Sequence, residues 1–209
     1  MMSVIVIFSG VGPEAVDVMT GEVRERMIAG AMALLARRGL SGASFSDVLS
    51  ATGAPRGSLY HHFPNGKREL VAAAVERAGL VLAEALAPVA GAPAEAVVER
   101  FLAIWRTVLT RSECEAGCAV MAVAAAPESA EMMAQAAGVF RAWSTQLTDL
   151  LGRGGVPGGE ASSFAMMMIA SVEGAVALSR AEHSLEPFEA VARQLIRQAR
   201  LAMSKDSED

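Results

Sequence analysis

The chain is poor in aromatic residues, which make up 5% of its 209 residues, and Tyr60 is its one tyrosine. Strands draw on β-branched and aromatic side chains, whereas the Ala, Leu and Met behind a hydrophobic content of 53% are good helix formers. This balance disfavours a β-sandwich and favours packed helices. Cysteine is scarcer still. Cys114 and Cys118 are too few for the disulfide framework of a small secreted protein, so a reducing cytoplasm is the expected compartment. The N-terminus has no long apolar run: Val4 to Phe8 is short, with no Lys or Arg before it. A signal core needs about 7–15 residues and a membrane span about 20. Residues 1–19 read instead as a disordered leader or an over-extended start, with Met19 as the alternative initiator.

A net charge of −5 argues weakly against nucleic acid, but the charges are unevenly placed. Residues 20–80 carry eight Lys/Arg against five Asp/Glu, while residues 81–209 carry ten against sixteen. A modestly basic N-terminal part on an acidic body fits a phosphate-binding head on a non-binding body.

From Glu22 to Arg38 the apolar residues Val23, Met27, Ile28, Ala31, Leu34 and Leu35 recur at three- and four-residue intervals and line one side of a helix. Thr20 is placed to cap it, Arg37 and Arg38 suit its C-terminal dipole, and Gly39 closes it. Ser44-Phe45-Ser46-Asp47 fits a capping box opening a short helix to Thr52. Pro55 suits the start of a third helix, Arg56 to Phe63, which Pro64-Asn65-Gly66 interrupts. Further helices are expected from Lys67 to near Pro88, Ala94 to Thr110, Pro127 to Leu151, Glu160 to Ala181 and Pro187 to Met203. Residues 112–126 are ambiguous, because Ser112 with Glu115 resembles a cap while Gly117 interrupts. The glycine-rich stretch 152–159 is the clearest linker. The architecture is all-α, and no alternating strand pattern follows residue 20.

Two short helices joined through Thr52-Gly53-Ala54-Pro55 have the layout of a helix-turn-helix, whose second helix enters a major groove. Leu59 and Phe63, four apart, face the core. Arg56, Gly57, Ser58, Tyr60, His61 and His62 are left for solvent or DNA. Arg56 can donate twice to a guanine edge, Gly57 permits close backbone approach, and Ser58, Tyr60 and the histidines can bind phosphate oxygens. Lys67 adds charge at a helix N-terminus that already favours phosphate. Adjacent His61 and His62 point about 100° apart on a helix and share no metal ion readily.

The run TGAPRGSLYHHFPNGKREL, after the FSDVLSA helix, resembles the DNA-binding head of the TetR family of bacterial transcriptional repressors. The likeness covers residues 22–70 and rests on a turn glycine, a Tyr-x-x-Phe unit and a following lysine, in order. It implies a head over 20–66, a ligand-binding and dimerisation body over 67–203, a tail over 204–209, and a homodimer on a palindromic operator. It also implies DNA-facing positions at Gly57, Ser58, Tyr60 and His62, phosphate-facing positions at Ser44 and Ser46, and the phosphate-binding lysine at Lys67. Two departures stand out. Pro55 replaces the usual hydroxyl residue, and Asn65-Gly66 lengthens the segment before Lys67 by one. The HHFPNGK and GCAVMAVA segments look most like the LmrA and YxaF branch, associated with drug-efflux or oxidoreductase genes.

In the body, Phe101, Trp105, Met121, Met133, Phe140, Trp143 and Met167 are candidates to line an adaptable pocket for a hydrophobic or aromatic inducer. Glu173, set among apolar neighbours, is a candidate partner for a cationic group or an Arg. Phe164, Met168, Val172 and Leu178 on one helix, with Val191 and Leu195 on the next, offer more apolar surface than one partner helix needs and are candidates for a four-helix dimer interface. Cys114 and Cys118 would share a face if their segment were helical, at a spacing longer than a disulfide prefers, and are expected to be small buried residues. No nucleophile–base pair, phosphate loop or metal-ligand spacing stands out, so no enzyme activity, cofactor or metal is expected, and no membrane partner.

Overall fold

The computed structural model describes residues 20–204; the leader expected over 1–19 and the tail from 205 onward lie outside them. These residues form nine α-helices and one short 3-10 turn, with no strand among them. In chain order the helices are α1 (Thr20–Arg38), α2 (Phe45–Thr52), α3 (Arg56–His62), α4 (Lys67–Leu86) and α5 (Ala94–Arg111). They continue as α6 (Ala119–Ala125), α7 (Ala130–Arg153), α8 (Gly158–Glu182) and α9 (Glu186–Ser204). The chain divides into two units, one running through Leu80 and taking up Cys118–Val139, the other made of Val81–Gly117 and Phe140 onward. These units do not coincide with the split expected at residue 66.

The first unit is organised around α1, whose Met27, Ile28, Ala31, Met32 and Leu35 are buried while Arg37 and Arg38 stay exposed. α2 and α6 both pack on α1. Gly30 lets α2 approach closely, since a Cβ there would stand 2.4 Å from the Thr52 Cγ2. α6 thus belongs with the head, although it lies in the part of the sequence assigned to the body.

In the second unit α9 packs on α8 and α5, and α8 also on α5. Phe101, Leu102, Leu109, Leu147, Met168, Val172 and Phe188 are fully enclosed there. Arg106 and Glu189 join α5 to α9 through two hydrogen bonds of 2.5 and 2.9 Å. The Arg106 hydrogen bond holds the Glu189 carboxyl below the ordinary carboxylate range, against a smaller opposing effect of burial. The buried Ser179 hydroxyl accepts the Phe188 N–H at 3.1 Å and so ties the start of α9 to α8. By length and composition α8 could cross a membrane, with a mean hydropathy of 1.5 over its most apolar window. Half of that window is buried against the chain itself, as in a core helix.

The ambiguous segment 112–126 is a tight turn followed by a short helix. Glu113 and Cys114 adopt positive φ, and the Cys114 N–H donates back to the Leu109 carbonyl at 2.8 Å. Ser112 caps this turn, accepting the Ala116 N–H at 3.0 Å, instead of opening a helix. Cys118 precedes α6, and its sulfur accepts the Met121 N–H at 3.3 Å. Both thiols are buried, and they do not share a helical face, because no helix spans them. Further on, Ser129 caps α7 by accepting the Met132 N–H, so that helix starts later than Pro127.

Candidate nucleic-acid interface

The interface is set up by the caps of three helices. Ser44 opens α2 with a capping box: its hydroxyl accepts the Asp47 N–H, and the Asp47 carboxylate accepts the Ser44 N–H, each at 3.2 Å. The Ser44 hydroxyl also donates to the Asp47 carboxylate, and that bond is the main reason Asp47 stays ionised below its ordinary range. α2 ends at Gly53, whose φ of 64° is the left-handed conformation that a side chain disfavours, and whose N–H reaches the Leu49 carbonyl at 2.9 Å. Pro55, with its φ near that of a helix, then starts α3.

α3 is anchored from one side. Leu59 and the closing Phe63 are buried in the first unit, and the Arg24 guanidinium lies 5.4 Å from the Phe63 ring centre. Arg56, Gly57, Tyr60 and His61 are exposed on the other side, with Ser58 and His62 half-buried. Tyr60 is 70% exposed, and its ring meets Phe45 of α2 edge-on at 6.1 Å, which aims the hydroxyl without enclosing it. A Cβ added at Gly57 would meet no atom, so a backbone of another molecule can come close there. Gly66 accommodates the extra residue of the Pro64-Asn65-Gly66 turn, and Glu69 reaches back to accept the Asn65 N–H at 3.0 Å. Lys67 and Arg68 open α4 immediately after it.

Two hydroxyls expected to meet phosphate are already engaged. Ser58 donates to the Pro55 carbonyl at 2.6 Å, and Ser44 is committed to its capping box. Their protons are therefore used within the chain, whereas Ser46 is exposed beside Ser44 at 3.0 Å between oxygens. Lys67 is half-buried, and its Nζ lies 2.8 Å from a Glu128 carboxylate oxygen. Glu128 escaped sequence reasoning because sixty-one positions separate the two residues.

The residues put forward for a pocket are divided between the two units. Met121 and Met133 are exposed and belong to the first unit. Phe101, Trp105, Trp143 and Glu173 are buried in the second, with Phe140 and Met167 half-buried. Phe140 and Trp143 meet edge-on at 5.5 Å. The Trp105 indole N–H is buried without a hydrogen-bond partner. Met167 lines an open cleft of about 230 Å³ together with Val156, Ser163, Phe164, Gln198 and Ala202.

The residues put forward for a dimer interface differ in exposure within one copy. Phe164, Met168, Val172 and Leu195 are buried inside a single copy, because α8 turns them toward its own unit. Leu178 is exposed and Val191 half-buried. The side of α8 left open carries Met166, Ala170, Gly174, Ala177 and Leu178.

A helix-turn-helix with an exposed recognition face, carried on an all-helical chain, defines a DNA-binding regulator. Family models agree along most of the chain. Residues 27–74 match the bacterial regulatory proteins of the tetR family, and residues 93–194 match the C-terminal domain of LmrA/YxaF-like transcriptional regulators. An uncharacterized HTH-type transcriptional regulator of Mycobacterium tuberculosis is 35% identical over 181 residues, covering 82% of this chain and 91% of the relative. The regulator YxaF of Bacillus subtilis is 27% identical, covering 84% and 94%. The crystal structure of a regulatory protein TetR from Rhodobacter sphaeroides shares the fold, with a TM-score of 0.76 at 20% identity over 84% of this chain and 97% of that one. The chain belongs to the TetR family of transcriptional regulators, and is a transcription factor rather than an enzyme.

Proposed function

We propose that this regulator is a ligand-responsive repressor that acts in the cytoplasm, binding a palindromic operator as a homodimer and leaving it when a small hydrophobic or aromatic molecule occupies the body. The observation that carries this reading is the two-sidedness of α3, which buries Leu59, with Phe63 buried at its close, and presents Arg56, Gly57, Tyr60 and His61 outward. Arg56 reads a base edge, Tyr60, His61 and His62 hold phosphates, and Ser46 and Lys67 fix the register from either side. Ser44 shapes the interface through its capping box, and Ser58 through its bond to the Pro55 carbonyl. Two copies joined across the exposed side of α8 would present paired α3 helices, and groove periodicity demands about 34–36 Å between them. The small residues Ala170, Gly174 and Ala177 favour close approach of a second α8, with Met166 and Leu178 as its apolar anchors.

The buried Trp105 donor supports a ligand site in the second unit. An unmade buried hydrogen bond costs about 1–3 kcal/mol, which a ligand acceptor would relieve. Release then follows from differential affinity: a ligand that prefers the arrangement unfit for DNA must weaken operator binding by the same factor by which DNA weakens the ligand. The test is a selection of genomic fragments with the purified protein, followed by a compound screen for release. A two-fold-symmetric fragment released by an apolar compound is the expected result. A chain that ignores duplexes in dilute buffer overturns the reading. For the dimer, Leu178→Glu should shift the sedimenting species to the monomer without melting it, and an unchanged mass would move the interface elsewhere.

A further inference from the structure

Lys67 opens α4, and its ammonium makes a 2.8 Å ion pair with Glu128, in the turn that joins α6 to α7. The position of this acid is set by packing. Ser129, the next residue, caps α7, and α6 on the other side of the turn packs on α1. Beyond the turn α4 and the first half of α7 run side by side in the same direction: Gln135 donates to the Ala72 carbonyl at 2.7 Å, and Val139 lies against Gly79. A second acid shares this junction. The Ser129 hydroxyl, and to a smaller extent the Arg68 guanidinium, hold the Glu131 carboxyl below its ordinary range.

We propose that Glu128 is an affinity-setting residue of the DNA interface, a carboxylate that occupies the Lys67 ammonium where a backbone phosphate would sit. The inference rests on the reading of Lys67 as a phosphate-binding lysine. A lysine ammonium is a compact charge with three rotatable donors, so it can turn from one anion to another. A carboxylate and a phosphate both held by it would stand roughly 4–6 Å apart, close enough for like charges to repel. Duplex binding therefore displaces Glu128 or tolerates its repulsion, and either lowers affinity for every sequence alike. The turn that carries Glu128 continues into α7, which runs on past Val139 into the second unit. Chain continuity thus links the acid at Lys67 to the part of the molecule read as ligand-binding.

The contact sought is with phosphate, so a random-sequence duplex in dilute buffer is a sufficient probe. Glu128→Gln keeps the shape and removes the charge. It should bind this duplex about two- to fivefold more tightly than the wild type, the range expected for a partly exposed ion pair. Its salt dependence should steepen by up to about 0.9 in the log–log slope. In a Lys67→Met background the same substitution should give no gain, a result that a merely structural role for Glu128 would not produce. Melting curves of each variant separate binding from folding. Unchanged or weaker binding by Glu128→Gln, or an equal gain without Lys67, overturns the proposal while leaving the DNA reading intact. A wild-type chain that binds no duplex removes both.

Discussion

Helices α3 and α8 make opposite use of their surfaces. The seven residues of α3 bury Leu59 and give the rest of the circumference to side chains whose chemistry names a partner. The twenty-five residues of α8 are apolar nearly all round, burying Phe164, Met168 and Val172 while Met166 and Leu178 stay 56% and 55% exposed. The lesson is that a polar exposed face announces its role in sequence, because only one side of the helix is apolar. A helix that is apolar on both sides does not say which side is inside. The same contrast separates the local, cap-defined head from a second unit held together by residues far apart in the chain, such as Arg106 with Glu189.

The contrast can be broken first at its anchors. Phe63→Ala and Phe188→Ala each empty a fully buried aromatic site and should cost about 3–5 kcal/mol in chemical denaturation. If the two regions differ as argued, purified Phe63→Ala loses duplex binding at temperatures where Phe188→Ala, as long as it stays folded, retains it. Arg56→Ala leaves stability nearly untouched, since the side chain is exposed. It should relax preference at one base pair by about 1–3 kcal/mol, read from binding to single-position operator variants. A uniform loss across variants would make Arg56 a phosphate contact instead. Gly53→Ala places a Cβ at a φ of 64° and should lower stability by about 1 kcal/mol, measured as a shift in denaturation midpoint.

The smallest effect concerns acid. Arg106 depresses the folded-state pKa of Glu189, so its stabilisation is complete above the ordinary carboxylate range and is lost as the pH falls through the depressed value. Glu189→Gln should therefore melt slightly below the wild type at neutral pH and converge with it on acidification. Parallel melting curves at all pH values would show that the pair adds nothing.

Most of the head was legible in advance because its signals are local. The Ser44–Asp47 capping box, the helix stop at Gly53 and the burial of Leu59 and Phe63 all stand where spacing put them. The segment around Cys114 was not legible, since its turn depends on positive φ at Glu113 and Cys114, residues that carry no turn signature. The engaged hydroxyl of Ser58 was missed for another reason: residue type tells that a group can donate, not whether a neighbour has already accepted. Met121 and Met133 look like pocket residues by composition, yet α6 and the start of α7 leave them exposed.

Residue order alone determined that the described chain is helical, where its short helices α2 and α3 start and stop, and which side of α3 is left exposed. Those outcomes follow from periodicity and capping, whose range is four residues or fewer. Tertiary structure decided that α6 packs with the head, that α8 turns Phe164 and Met168 inward, and that Lys67 faces Glu128. Each of these depends on which of several apolar or charged surfaces meet across long stretches of chain, and hydrophobic burial and ion pairing carry no record of sequence distance.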